Sequence, residues 1–133
     1  MKKEVMRPAE QAQPLGPYSH GVKVQINGAT LLFISGIVAF DSRGNVVGKG
    51  DIKAQTRQVL ENLKAVLASE GAAFSDVVKI TNFYMNFDDY PKIAEIRAQY
   101  FGDWSPASTG VEVKRLIHDD LLIEIEAIAV LGD

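Results

Sequence analysis

The chain has 133 residues, no cysteine and a formal net charge of -3 at pH 7. Its length fits a single domain, residues 1–133. A content of 47% hydrophobic and 23% charged residues is typical of a soluble globular protein. The negative charge and the scattered basic residues argue against a nucleic-acid partner. Because cysteine is absent, disulfides, thiolate metal sites and a cysteine nucleophile are excluded.

Nothing in the sequence indicates a metal ion or another cofactor. The two histidines, His20 and His118, lie far apart and lack the spacing of paired metal ligands. The first residues lead into polar sequence without the apolar core of a signal peptide, and no apolar run approaches the ~20 residues that cross a bilayer. We therefore expect a cytoplasmic protein with no cofactor and no membrane partner.

The N-terminal part of the chain is expected to be irregular. Pro8, Pro14 and Pro17 interrupt residues 1–21, and the segment 1–15 shows no periodic pattern.

A β-hairpin is predicted directly after this segment. Residues 22–26 alternate between apolar and polar, Asn27-Gly28 supplies a two-residue turn, and an apolar run covers residues 31–35. A third extended piece is expected over residues 37–40.

The strongest helix signal covers residues 51–70. Asp51 is a suitable N-cap, apolar residues follow it at helical spacing, and Gly71 suits the C-terminal stop. Residues 77–85 are rich in β-branched and aromatic side chains, which predicts a strand.

The last third of the chain predicts one helix and two strands. Asp88 or Asp89 is expected to cap the helix, with Pro91 in its first turn. The strands are expected over residues 109–113 and 121–130, which gives the order β-β-(β)-α-β-α-β-β. This order predicts an α+β fold with two helices packed on one face of the sheet.

The final strand, residues 121–130, has an unusual distribution of charge. Successive side chains of a strand point to opposite faces, so one face is wholly apolar and the other carries Glu124 and Glu126, about 6.7 Å apart along the chain. Two helices cover only one face of a sheet. The other face is also rich in aliphatic side chains, so we expect it to contact another subunit.

Several segments occur in an order and spacing that point to a known family. They are Gly16-Pro17-Tyr18-Ser19, Phe33-Ile34-Ser35-Gly36, Gly50-Asp51-Ile52 with Gln55-Thr56-Arg57-Gln58, Leu60-Glu61-Asn62-Leu63-Lys64, and Ile123-Glu124-Ile125-Glu126-Ala127-Ile128-Ala129-Val130. Over residues 14–130 the chain resembles the RidA/YjgF family of enamine and imine deaminases, some members of which are labelled L-PSP endoribonucleases. The resemblance implies a chorismate-mutase-like α+β fold and a homotrimer with three inter-subunit clefts that bind a small molecule.

The resemblance also implies which residues form the site. Glu124 matches the family's cleft glutamate, which would orient a water, and Tyr18 would supply a ring wall with a hydroxyl group, so these two are the predicted catalytic residues. The predicted substrate-binding residues are Ser35, Gly36, Ser108, Thr109 and His20.

One cleft position departs from the family pattern. In the active deaminases the segment before the last hairpin reads Pro-Ala-Arg-Ser/Thr, and the arginine holds the substrate carboxylate, whereas this chain has Ser108 at that position. A hydroxyl offers one donor and no charge, so it cannot replace a bidentate guanidinium. Ile37 and Ala94 stand where the family often has Gln and Asn. Arg97, on the same helix face as Ala94, could compensate.

These residues leave alternatives open. Tyr18 could be a packing residue at a subunit edge, and His20 a partly exposed residue at the start of a strand. The two glutamates could form a solvated face or ion pairs with Lys79, Lys114 or Arg115. The sequence favours an enamine or imine hydrolase with an altered substrate over a non-catalytic binding or regulatory trimer. RNA cleavage ranks last because no basic stripe is present.

Overall fold

Six strands form one mixed sheet, and two helices cover one of its faces. In the computed structural model, which describes residues 1–132, the strands are β1 (Lys2–Val5), β2 (Gly21–Ile26), β3 (Ala29–Val38), β4 (Val77–Tyr84), β5 (Ala107–Glu112) and β6 (Ile123–Leu131). The helices are α1 (Ile52–Ala68) and α2 (Tyr90–Phe101). The strand order is β1-β2-β3-β6-β4-β5, antiparallel except for the parallel pair β4–β5. This arrangement confirms the predicted α+β class.

The predicted hairpin is present between β2 and β3. Asn27 has a φ of 50° and Gly28 a φ of 82°, the left-handed conformations that a type I′ turn requires at both central positions. Ile26 pairs directly with Ala29, so the loop has the two residues that the sequence predicts.

Helix α1 begins and ends close to its predicted limits. The carboxylate of Asp51 accepts a hydrogen bond of 3.0 Å from the N–H of Ala54, which confirms the N-cap. Gln55 is fully buried on the inner side of this helix. Its amide donates to the carbonyls of Gly48 and Asp120 and accepts from the N–H of Leu122, so one side chain ties α1 to the chain entering β6.

Helix α2 starts with Pro91 in its first turn, as predicted. Asp89 occupies the position before the helix, but its carboxylate makes no capping hydrogen bond. A short 3-10 turn over Phe87–Asp89 precedes the helix, and there the side chain of Asn86 accepts from the N–H of Asp88 at 2.9 Å. The chain therefore enters α2 through a turn capped by Asn86.

The expectation of an irregular N-terminus is wrong for the residues of β1, which pairs antiparallel with β2. Its sequence, Lys2-Lys3-Glu4-Val5, has no apolar alternation because it lies at the edge of the sheet. The apolar anchor is the following residue, Met6, which is 2% exposed and packs on Gly21. A mainly polar strand gives no pattern from which its pairing could be read. Residues 6–20 contain no helix or strand.

The extended piece predicted for residues 37–40 is not a separate strand. β3 continues across a bulge between Ile34 and Ile37 and ends at Val38, while Phe40 makes an isolated bridge with Val46. A bulge adds a residue to one strand and changes the direction of its side chains. Here it takes Ser35 and Gly36 out of the regular pairing with β6.

The last two strands do not form a hairpin. β5 pairs in parallel with β4, and β6 lies between β3 and β4. Parallel neighbours need a crossover, which α2 provides. Every residue of β5 is exposed, so its sequence indicates a strand without indicating the neighbour with which that strand pairs.

The two faces of β6 differ as the alternation predicts. Its inward residues are buried under the helices: Ile123, Ile125, Ala127 and Ala129. The opposite face of the sheet has no layer upon it within residues 1–132, and Phe33 stays 42% and Val130 36% exposed there. In the same range, no helix is long and apolar enough to cross a membrane.

Candidate functional site

A cavity of about 430 Å³ lies beside the bulged end of β3. The irregular segment 11–18 forms one wall, and β6 forms another. Five of the seven predicted site residues line this cavity, whereas Ser108 and Thr109 do not. The five are Tyr18, His20, Ser35, Gly36 and Glu124.

Glu124 projects from the uncovered face of β6, between Val38 of β3 and Phe83 of β4 in the strand register. Its carboxyl group lies against the backbone of Gly36: a Cβ atom at residue 36 would stand 2.7 Å from Glu124 Cδ and still closer to Oε2. Glycine is therefore required at residue 36 if the carboxyl group is to keep this position.

The pKa of Glu124 is raised, first because burial disfavours its charged form and second because of the negative charge of Glu126. Within residues 1–132, neither acid forms an ion pair. The pairs considered from the sequence with Lys79, Lys114 or Arg115 are therefore not formed. A half-buried carboxyl group without a counter-ion holds its proton more readily than an exposed one and is a stronger base once ionised.

Ser35 and His20 are joined through the backbone. The Ser35 hydroxyl donates to the carbonyl of Ser19 at 2.8 Å, and the Ser35 N–H donates to the carbonyl of His20 at 3.0 Å. The hydroxyl hydrogen is thus used within the protein, and its oxygen remains able to accept. Burial lowers the pKa of His20, which favours the neutral imidazole at neutral pH.

Tyr18 stands at the entrance of the cavity, 53% exposed. Its hydroxyl oxygen accepts from the N–H of Leu15 at 3.3 Å, and its ring lies beside Gly16, within 3.5 Å of the point where a Cβ of that residue would be. Tyr18 therefore orders the Leu15–Tyr18 turn, and among residues 1–132 its hydroxyl group donates no hydrogen bond.

Several lining residues were not predicted from the sequence, among them Gln11, Phe40, Asn62 and Ile117. Asn62 has the clearest structural role, since its amide donates to the carbonyls of Val38 at 3.2 Å and Phe40 at 2.9 Å. It thereby holds the chain just after the bulge. In the sequence, Asn62 could have been recognised as an amide among the apolar residues of α1, inside one of the segments that resemble the family.

Ser108 and Thr109 lie on β5, across β4 from Glu124. In the strand register Ser108 adjoins Ile80, which is buried, so it is on the helix-covered side of the sheet. The Ser108 hydroxyl oxygen accepts from the amide of Asn82 at 3.1 Å. The Thr109 hydroxyl accepts from the Lys79 ammonium at 2.6 Å. Within a single chain, Ser108 and Thr109 therefore do not line the cavity that contains Glu124.

The charge of the cavity is negative. Among the lining residues in the described range, two are acidic and none is lysine or arginine. In that range no three histidine or acidic side chains come together in a way that could hold a metal ion. The arrangement suits a ligand whose nitrogen end meets the acids, with a water held between the ligand and Glu124.

The chain matches a family model described as Endoribonuclease L-PSP over residues 9–131. It is 46% identical to a RutC family protein of Pyrococcus horikoshii, over 96% of this chain and 97% of the relative. It is 37% identical to the 3-aminoacrylate deaminase RutC of Acinetobacter baylyi, over 97% of this chain and 98% of that relative. It is 36% identical to a 2-iminobutanoate/2-iminopropanoate deaminase of Dermatophagoides farinae, over 90% of this chain and 89% of that relative.

Solved structures resemble the chain over nearly its full length. YyfA of Yersinia pestis, a protein of the conserved Rid family, has a TM-score of 0.87 and 36% identity, covering 98% of this chain and 100% of that one. The YjgF gene product of E. coli has a TM-score of 0.80 and 32% identity, covering 96% and 98%.

Proposed function

Because the chain belongs to the Endoribonuclease L-PSP family, which includes the RidA/YjgF and RutC proteins, we propose that it hydrolyses a small enamine or imine to a carbonyl compound and ammonia. The observation that carries the proposal is Glu124, an acid of raised pKa held over Gly36 in a cavity without a cation. Two relatives named as deaminases of such compounds support it.

Glu124 acts first as a base. It orients a water whose oxygen adds to the carbon of the protonated imine, the iminium ion, while Glu124 takes one proton from the water. The resulting carbinolamine receives that proton on nitrogen. The carbon–nitrogen bond then breaks and ammonia leaves, while the hydroxyl group returns its proton to the Glu124 carboxylate and becomes the carbonyl group. An enamine needs one step before this addition: protonated Glu124 places its proton on the double-bond carbon remote from nitrogen, which gives the iminium ion and leaves Glu124 as the carboxylate base. The raised pKa favours this protonated form.

The other polar groups of the cavity orient the ligand. The Tyr18 hydroxyl hydrogen points to no acceptor within residues 1–132 and is available to the ligand, while the Ser35 oxygen and the Gly36 backbone complete a small polar surface. Neutral His20 adds no positive charge to this surface. The ligand is therefore held mainly by hydrogen bonds near its nitrogen end.

The cavity is proposed to be completed by another subunit, in a homotrimer with inter-subunit clefts. The uncovered face of the sheet, with Phe33 and Val130 exposed, supports this assembly. The compounds in the two relatives' names, 3-aminoacrylate and 2-iminobutanoate, both carry a carboxylate. We propose that the substrate of this chain is held differently at that end, because Ser108 stands where the resemblance implies an arginine.

The test uses 2-iminobutanoate, generated in situ from 2-aminobutanoate by an amino-acid oxidase, and measures ammonia release above the buffer rate. Glu124→Gln removes the base and keeps the shape, so we expect the catalysed rate to fall by about 100-fold or more. Glu10→Gln, at an exposed carboxylate outside the cavity lining, is the control and should keep the activity. Turnover that survives Glu124→Gln would contradict the mechanism. No turnover by the wild type, with ligand-induced thermal stabilisation, would favour a binding protein instead.

A further inference from the structure

The cavity beside Glu124 extends around the end of β3 onto both faces of the sheet. Glu124 lines it from the uncovered face, whereas Asn62 and Val66 line it from α1, which covers the other face. This is possible because β2 begins at Gly21, opposite Ile34, and beyond that pair no strand of the described chain borders this edge of β3. The cavity therefore has an acidic end at Glu124 and a second arm on the helix side.

The helix-side arm has apolar walls, formed by Ile37, Phe40 and Val66. Val66 belongs to the hydrophobic core, and the other two pack against that core. Ile37 lies on the helix side because it pairs with the buried Ile125 across the bulge, and directly paired residues share a face of the sheet. The arm therefore presents aliphatic and aromatic surface to a ligand.

The amide that α1 contributes to this arm is already engaged within the protein. Both hydrogens of the Asn62 amide are donated, to the carbonyls of Val38 and Phe40, and its oxygen accepts from Gln58. An amide has only two hydrogens to donate. A polar group entering the arm would thus lose its water without gaining a donor from Asn62, so the arm selects an apolar group.

Two exposed aliphatic side chains continue this apolar surface to the rim of the cavity. Leu15 and Ile117 both line the cavity, and each is 61% exposed. An apolar ligand that covers such side chains removes them from water, which favours binding. The volume of about 430 Å³ lies in the range that encloses drug-sized ligands, so it exceeds what the chain of a four-carbon imine fills.

We propose that the helix-side arm binds the carbon chain of the substrate, and that the preferred substrates are imines or enamines with an apolar chain of about six carbons or more. The inference rests on the proposed function, which places the ligand nitrogen at Glu124, and it names the substrate class of that site. No lysine or arginine lines the cavity in the described range. A protonated nitrogen and an apolar chain therefore match the two ends of the cavity.

The test uses two amines, butylamine and hexylamine, which are protonated at pH 7 and differ by two methylene groups. Their affinities for the intact protein are measured by titration calorimetry, and the ratio of the hexylamine to the butylamine affinity is the readout. Each methylene that leaves water contributes about fourfold in affinity, so we expect a ratio of about tenfold or more. Equal affinities, or no binding of hexylamine, would overturn the inference.

Variants of the lining locate the carbon chain within the cavity. Ile37→Gln puts an amide of similar size into the arm and should lower the ratio about fourfold, the contribution of one methylene. Ile117→Ser changes an exposed rim residue, so it should fold normally and also lower the ratio. Val5→Ser, at a 48% exposed residue outside the cavity lining, is the matched control. A ratio unchanged by Ile37→Gln, or lowered equally by Val5→Ser and Ile117→Ser, would count against the arm.

Glu124→Gln separates the two ends of the cavity. It should weaken both amines by a similar factor, because the head group loses a negative partner, and it should leave the ratio unchanged. A ratio that collapses in Glu124→Gln would place the carbon chain at the acidic end and overturn the inference. The amine ratio is measured without turnover, whereas absence of ammonia release by the wild type would contradict the proposed function, so the two failures are distinguishable.

Discussion

At the scale of single residues, the position of Glu124 has a consequence for stability. Its folded-state pKa is raised above the ordinary value of 4.5, so between that value and the raised one the folded protein binds more protons than the unfolded chain. Stability therefore falls as the pH rises through this window and stays lower above it. The ionised carboxylate costs folding free energy, which a catalytic role would explain.

Glu124→Gln should therefore unfold at a higher temperature than the wild type at pH 8 and at the same temperature at pH 3.5, where Glu124 is protonated in both states. Thermal unfolding followed by circular dichroism across this range measures the difference. Glu10→Gln is the control at an exposed carboxylate and should show little effect. A wild-type protein more stable than Glu124→Gln at pH 8 would show that the ionised carboxylate has a partner in solution.

Tyr84 is the second residue whose burial is costly. It is 1% exposed, and its hydroxyl has no hydrogen-bond partner in the described structure. Burial raises the pKa of this hydroxyl, an effect opposed by the charge of Arg97. Since an unpaired buried hydroxyl costs free energy, Tyr84→Phe should leave stability unchanged or raise it by about 1 kcal/mol in urea unfolding. Tyr90→Phe, at a 39% exposed ring, is the control. A clear loss of stability in Tyr84→Phe would mean that the hydroxyl has a partner.

At the scale of elements, Asn62 couples α1 to the bulged end of β3. Its two donated hydrogen bonds hold the carbonyls of Val38 and Phe40, and its oxygen accepts from Gln58 at 2.9 Å. Asn62→Ala should lower the free energy of unfolding by about 2 kcal/mol because two half-buried carbonyls lose their partner. It should also reduce ammonia release, since the cavity wall loses its support. Gln99→Ala, with one exposed hydrogen bond, should change neither quantity. Equal stability of Asn62→Ala and wild type would contradict this role.

The elements also show how far the sequence determines the structure. The hairpin turn at Asn27-Gly28 and the cap at Asp51 were predictable because each depends on neighbouring residues only. β1 was missed because an edge strand of lysines and glutamate has no pattern. The partner of β5 was missed because pairing between distant strands is set by the whole sheet. Similarly, Glu124 and Glu126 were noticed from their place in an apolar strand, and the family resemblance pointed to Glu124. Gln11 reaches the same cavity only through tertiary folding.

At the scale of the whole molecule, the uncovered face of the sheet determines the assembly that we propose. Phe33 pairs with Val22 and Ile128 across this face, and its side chain is 42% exposed in the single chain. Burial of such a surface on association removes apolar area from water. The face accordingly fits contact with other copies of the same chain.

Sedimentation equilibrium at micromolar concentration should give three times the chain mass of 14.5 kDa. Phe33→Lys places a charge on the face and should shift the protein toward the monomer mass. Phe87→Lys changes an aromatic residue of similar exposure, 49%, in the turn before α2, and should leave the trimer intact. If the wild-type protein sediments with the mass of a monomer, the proposed trimer and its inter-subunit cleft are excluded.

The placement of Ser108 on an exposed edge strand also bears on how this fold diverges. Glu124 sits on β6 in the middle of the sheet, where neighbours on both sides restrict what a substitution can do. All six residues of β5 are exposed. Substitutions of exposed side chains are usually nearly neutral for folding, although Gly110 is an exception because a Cβ atom there would stand 2.7 Å from the buried Tyr84 ring. Under the proposed function, related chains can therefore change ligand specificity through β5 while Glu124 stays unchanged.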